Sequence, residues 1–245
     1  MDVVISEKIH NINVDDGIYE VSKLLKNLSS GIRVSLERLD IIDRGWIKVN
    51  FSGEDTEILL ELLRINFGLL PLSSEKIKIG DIFKGFVSEI NSQFIHIDMG
   101  ILFPKFKDGL CSLNTLQAQL LDGAGVPMKK FVRRFFLNKD MPIEIRVEKN
   151  EGNEINVELS EYQKDFLINL SRIPLDNVIV IGAFLREIHN AINSSRINRD
   201  IIRIYSLSLT THILICKLGT NSLGVMVKIG SFLNKAKIMP FVYTK

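Results

Sequence analysis

Residues 80–99 read GDIFKGFVSEINSQFIHIDM. In the second half, Phe94, His96 and Asp98 alternate with Ile95, Ile97 and Met99, the period of a strand with one buried face. The spacing predicts strands over 80–91 and 93–99, the first with Gly85 inside it. An interior glycine suits the sharp bend that closes a small barrel. Further along, 109–113 reads as a third strand. Residues 114–137 are helical in pattern and broken at Gly123-Ala124-Gly125-Val126-Pro127, and 141–148 and 155–159 read as strands four and five. Three strands, helical material, then two strands is the order of an OB barrel.

Outward from that barrel the pattern changes. The first third reads β-α-β-β-α: a strand at 3–9, a helix capped by Asp15 with Ile18, Val21, Leu24, Leu25 and Leu28 on its apolar face, strands from 32 and over 46–51, and a helix near 55–67 stopped by Gly68. A fourth strand is not evident, and 72–78 reads as a linker. After the barrel, Ser160-Glu161-Tyr162-Gln163 is a capping box opening a helix that Pro174 ends, expected to connect two domains. The last third, with elements at 177–181, 184–193, 201–209, 213–218, 222–233 and 237–243, has the full ferredoxin-like order βαββαβ. The fold class expected is α+β, a central five-stranded OB-type β-barrel flanked by two ferredoxin-like-order α+β modules. The expected divisions are 1–72, 77–160 with a helical insertion at 114–137, a connecting helix at 161–174, and 175–245.

The 245 residues are 46% hydrophobic and 24% charged, which excludes wholesale disorder. No apolar run approaches the ~20 residues of a bilayer span, and the first residues lack the basic-then-apolar pattern of a signal peptide. Cys111 and Cys216 are far apart and form no disulfide framework or zinc knuckle, so a reduced, cytoplasmic protein is expected. The net charge of +2 is uneven. Residues 1–72 hold 8 Lys and Arg against 12 Asp and Glu, 73–160 hold 12 against 12, and 161–245 hold 11 against 5. A basic last third suggests an acidic partner, nucleic acid first. P-loop, nucleophile-elbow and zinc-protease motifs are absent, and His10, His96, His189 and His212 stand on separate elements. Neither an enzyme nor a resident cofactor or metal is expected.

Four groups of residues are candidates for binding RNA. Phe94 and His96 face outwards on the second barrel strand, where OB folds stack single-stranded bases, and Lys84 and Phe86 share a face on the first. The alternative is that Phe86 and Phe94 pack beneath a neighbouring domain. Lys105, Phe106 and Lys107 interleave aromatic and basic groups in the loop after strand two. Lys129, Lys130, Arg133 and Arg134 fall on one arc of a helix, with Phe131, Val132, Phe135 and Phe136 on the opposite arc, so the rings pack inward and four cations point out. Arg196, Arg199 and Arg203 cluster around a turn in the last third. There too, Lys217–Gly224 could offer backbone N–H groups to an anion, or carry only an N-cap at Thr220 or Ser222.

The segments GDIFKGFVSEI, FIHIDMG, DGLCSL and PIEIRV…INVELS make residues 80–160 resemble the RNA-binding domain of ribosomal protein S-one. That resemblance implies a barrel that binds RNA through its first three strands, with Phe94 matching the family's exposed Phe. Ser112 stands where that family usually has His, and the aromatic usual after strand one is missing near Ser92. The whole chain, through DRGWIKV at 43–49 and CKLGTNSLG at 216–224, is similar to a conserved archaeal family of uncharacterised proteins of this length. The function expected is a non-catalytic RNA-binding protein of translation or transcription, meeting ribosomal or nascent RNA at the ribosome or RNA polymerase and no membrane. The alternatives are a protein–protein adaptor on the same machinery without RNA contact and, more remotely, a small-molecule sensor.

Overall fold

Three sheets organise the chain in a computed structural model that describes residues 1–10, 12–151 and 154–242. The N-terminal elements are β1 (Asp2–Lys8), α1 (Val14–Leu28), β2 (Val34–Ile41), β3 (Trp46–Gly53) and α2 (Thr56–Phe67). They form an antiparallel sheet in the order β1-β3-β2. Ile5, Ile47, Val49 and Phe51 are fully buried, as are Leu25 of α1 and Leu59 and Leu63 of α2. The cap of α1 is Asn13, whose side chain accepts from the Asp15 N–H at 3.0 Å; Asp15 itself lies in the first turn, where its charge favours the helix N-terminus.

The first two residues of the segment expected as a linker pair as a short strand of the barrel sheet. β4 (Leu72–Ser73) runs parallel to β6 (Phe94–Phe103), which leaves the N-terminal sheet with three strands. The barrel consists of β5 (Ile82–Ile90), β6, β7 (Lys107–Ser112), β8 (Pro142–Glu151) and β9 (Glu154–Leu159), with α3 (Leu113–Leu121) and α4 (Met128–Arg134) between β7 and β8. β5 pairs with β6 and β8, β6 with β7, β8 with β9, and β7 closes the ring on β9 in parallel. That is the strand order of an OB barrel. Ile95, Ile97, Met99, Ile143, Ile145, Val147, Ile155 and Val157 fill it. Gly85 allows a close approach within the ring: a Cβ there would meet the Ile97 Cγ2 at 2.6 Å and the Asp98 carbonyl oxygen at 2.7 Å, so only glycine lets β5 and β6 come this close. Phe131 and Phe135 of the α4 region, with ring centroids 4.9 Å apart, join the same core.

α5 (Glu161–Ser171) does not behave as a free connector. Ser160 Oγ accepts the Gln163 N–H at 3.1 Å and donates to Glu144 Oε1 at 2.5 Å, while Gln163 Oε1 accepts the Glu144 N–H at 3.1 Å. The cap residues thus clamp the start of α5 onto β8, and Leu167 enters the barrel core. Residues 68–173 form one compact unit; the two chain ends, 1–67 and 174 onwards, fold together as the other.

The C-terminal elements are β10 (Asn177–Ile181), α6 (Leu185–Ser194), β11 (Ile201–Ser206), β12 (Thr211–Cys216), α7 (Ser222–Gly230) and β13 (Lys237–Phe241). Of the last expected strand, Tyr243 lies outside the described residues. The antiparallel order β11-β12-β10-β13 is that of a complete ferredoxin-like sheet. Val178, Val180, Leu214 and Cys216 pack with Ile188, Val225 and Ile229 of the helices, and Ile179, Ile181, Ile213 and Ile215 on the opposite face are also buried. Hydrogen bonds join the chain ends. Glu7 Oε2 accepts the Leu209 N–H at 3.0 Å, Thr210 Oγ1 donates to the Lys8 carbonyl at 3.2 Å, and Arg186 pairs with Glu20. Among the described residues no helix is long and apolar enough to cross a membrane.

Candidate nucleic-acid interface

Strand register fixes which outward side chains are neighbours. His96 of β6 lies opposite Leu110 of β7, Leu110 opposite Asn156 of β9, and Asn156 opposite Lys149 of β8, one row across four strands. In the next row Phe94 lies opposite Ser112. Phe94, His96, Leu110, Ser112 and Asn156 are half-buried and Lys149 is exposed. A shallow groove of about 230 Å³ is lined by Leu110, Ser112, Thr115, Lys149, Asn156 and Val157, with one carboxylate, Glu148, at its wall beside Lys149. The polar tips are positioned: Asn91 Nδ2 lies 3.0 Å from His96 Nε2, Asn91 Oδ1 accepts the N–H groups of Gln93 and Phe94, and Ser112 Oγ accepts the Thr115 N–H at 3.0 Å as the cap of α3. Lys149, Asn156 and Thr115 are not among the residues expected from sequence. The place of Lys149 and Asn156 follows from the parallel β7–β9 closure, which the OB order implies and which local alternation does not reveal, and that of Thr115 from the Ser112 cap of α3.

Phe86 does not belong to that face. It alternates outward between Asp98 and Pro142, as expected, yet it is 1% exposed, and Asp98 beside it is equally buried. Alternation tells which side of a strand a residue takes; it does not tell whether that side is covered. Phe86 is therefore a packing residue, and the accessible part of the barrel wall is shifted towards β7 and β9. Lys84 is half-buried and sits opposite Glu144. The loop residues Lys105 and Phe106 are exposed, Phe106 by 48% and its neighbour Phe103 by 62%, with Lys107 half-buried. They lie at the far end of β6 from Phe94, Lys107 opposite Ile101, which is seven residues along the strand, or at most about 23 Å at about 3.3 Å per residue.

The strand that follows α4, β8, starts towards the same end of the barrel as β6. The chain after α4 enters β8 beside Val87, in the second half of β5, where the Asp140 N–H bonds the Val87 carbonyl at 2.8 Å and the Val87 N–H bonds the Met141 carbonyl at 2.9 Å. At that end β6 begins and β7 finishes. Phe131 and Phe135 are buried and Val132 is partly so, while Lys129, Lys130, Arg133 and Arg134 are exposed. Phe136, half-buried with φ of 58°, turns the chain out of the helix. The Arg134 guanidinium carbon lies 5.7 Å from the Phe135 ring centroid. Among the described residues no carboxylate forms a salt bridge with any of these four cations.

Arg196, Arg199 and Arg203 are exposed but belong to the other unit. The glycine-containing turn before α7 is already supplied with an anion: Asp176 Oδ2 accepts both the N–H and the hydroxyl of Ser222, at 3.0 and 3.1 Å. Asn221, rather than Thr220 or Ser222, is the cap, accepting from the Leu223 N–H at 2.8 Å. Burial pushes the Cys111 thiol up to about 12, so it stays protonated in the barrel core.

Comparison with protein families finds matches to the DUF2110 N-terminal domain over residues 2–73, the DUF2110 central domain over 77–171 and the DUF2110 C-terminal domain over 175–240. No curated protein matches the sequence. Among solved structures, the chain is similar to one in the a/eIF2alpha–aDim2p–rRNA complex from Pyrococcus horikoshii OT3, at 10% identity, with a TM-score of 0.28, over 49% of this chain and 60% of that one. It is also similar to the intact alpha subunit of aIF2 from Pyrococcus abyssi, at 6% identity and a TM-score of 0.26, over 69% of this chain and 98% of that one. Similarity at this level carries no argument about ligand or activity.

Proposed function

The chain belongs to the DUF2110 family, and we propose that it binds single-stranded RNA on the β6–β7–β9 wall of its barrel, with the α4 cations holding the phosphates. The observation that supports this reading is a half-buried aromatic ring, Phe94, beside a polar groove, in the same compact unit as four exposed cations on a helix pinned by two buried rings. A base stacks on Phe94 and His96, Asn156 and Ser112 offer hydrogen bonds to its edge, and Lys149 with Lys129, Lys130, Arg133 and Arg134 meets the backbone. An uncompensated group of cations is costly to bring together, and phosphates relieve that repulsion while releasing counterions. In the finer form of the proposal the protein has no catalytic step, the RNA is ribosomal or nascent, and the encounter is on the ribosome or RNA polymerase in the cytoplasm.

The adaptor reading would dock a protein on Phe86, Phe94 and Phe106. It is weakened by the burial of Phe86 and by the distance between the other two rings. Fluorescence anisotropy with a labelled oligouridylate, read across a salt series, separates the two. Binding whose affinity falls steeply with salt in the wild type, and less steeply in the Lys129/Lys130/Arg133/Arg134→Ala variant, supports RNA contact. Absence of binding at low salt overturns it.

A further inference from the structure

The C-terminal sheet ends on a strand that invites another. β11 is the outermost strand of the order β11-β12-β10-β13, six residues long, and among the described residues only its inner edge is paired, with β12. Along the same edge runs a groove of about 400 Å³ between α6 and β11, walled by Leu185 and His189 on the helix and by Ile202 and Ile204 on the strand. Ile202 is 57% exposed and Leu185 38%. Soluble proteins blunt such edges with charge or cover them, because a row of unpaired backbone donors and acceptors beside apolar side chains captures extended chains. Here the charge is of one sign. Arg196 and Arg199 stand in the turn that enters β11, and Arg203 lies in its centre, stacked on Tyr205 at 5.0 Å and donating to its hydroxyl at 3.0 Å. The one carboxylate in that turn, Asp200, has Lys228 at 3.9 Å.

We propose that β11 is a docking edge for an acidic extended peptide segment of a partner protein, which adds as a fifth strand, sends alternate side chains into the α6–β11 groove and sets carboxylates against Arg196, Arg199 and Arg203. Strand addition supplies affinity through the main chain and specificity through the pocketed side chains. A second copy of this chain is disfavoured, since antiparallel pairing of two β11 strands brings Arg203 towards its own counterpart, and like charges facing each other across strands are destabilising. RNA is disfavoured because the groove, lined by Leu185 and isoleucine side chains as well as by His189, Asn198, Arg203 and Ser206, offers strand-edge geometry with no row of exposed aromatic stacking planes. This inference is independent of RNA binding at the barrel.

The test uses the full chain and a labelled peptide of about ten residues, alternating Glu and Val, long enough to span a strand. Saturable binding is expected, with amide-exchange protection confined to residues 201–206. Affinity falls roughly tenfold or more in Arg196/Arg199/Arg203→Ala and in the exposed-site variant Ile202→Asp. A peptide N-methylated at alternate residues, which keeps the charge and loses the main-chain donors, binds at least as weakly as those variants. Equal binding of the methylated peptide, displacement by oligouridylate at stoichiometric concentration, self-association lost in Ile202→Asp, or no saturable binding each overturns the proposal.

Discussion

Two phenylalanines on neighbouring strands of the barrel wall have opposite expected responses. Phe94 is half-buried beside the groove, so Phe94→Ala leaves stability nearly unchanged and costs about 1–3 kcal/mol of binding per stacked base, measured by anisotropy with oligouridylate. Phe86 is 1% exposed, so Phe86→Ala lowers stability by about 3–5 kcal/mol, measured by urea unfolding, before any effect on RNA. Gly85→Ala forces a Cβ into Ile97 and the Asp98 carbonyl and costs about 1–3 kcal/mol in the same measurement. His212 gives a pH signature. Burial holds its imidazole down to about 4, against an ordinary 6.5, despite the opposing hydrogen bond to the Ala183 carbonyl. The unfolded chain therefore takes up this proton first. His212 contributes stability fully above about 6.5 and loses it as pH falls towards about 4. The urea midpoint should drop across that window, and His212→Gln should flatten the drop.

Elements whose identity depends on local pattern were readable from sequence, and those whose role depends on distant pairing were not. The alternation of Ile95, Ile97 and Met99, the glycine at 85 and the arc of cations at 129–134 each describe a property of one segment, and each is found in the structure. The path of 68–73 could not be read in that way, because its partner is β6 and not the sheet that precedes it in the chain. The place of α5 depends on Glu144, which lies outside the helix and captures both cap residues. The candidate face was half legible: Phe94 and His96 are on it, Phe86 is not, and Lys149 and Asn156 arrive through the parallel pairing of β7 with β9. At this scale the basic helix has its own test. A single-stranded RNA contact releases about 0.7 counterions per phosphate neutralised, so removing all four α4 cations should flatten the log-affinity against log-salt slope by up to about 3.

At the scale of the molecule, the chain crosses from one unit to the other and back. Its two ends share a fold in which Glu7 holds the Leu209 backbone and Thr210 holds that of Lys8. Glu7 is 2% exposed, so Glu7→Ala leaves the half-buried Leu209 N–H without that acceptor and should cost about 1 kcal/mol in the unit built from the ends, read as a lower thermal midpoint with RNA binding at the barrel intact. The barrel face and the β11 edge belong to different units, and the two proposals assign them different chemistry, bases and phosphates to the first and an extended acidic chain to the second. The central claim concerns the first of these, and photocrosslinking of the full chain to oligouridylate with mass-spectrometric mapping of the adducts addresses it directly. The account predicts adducts in the peptides that carry Phe94 and His96, residues 110–115 and residues 129–134. Adducts confined to the C-terminal sheet, or to the loop at 103–107, would contradict it.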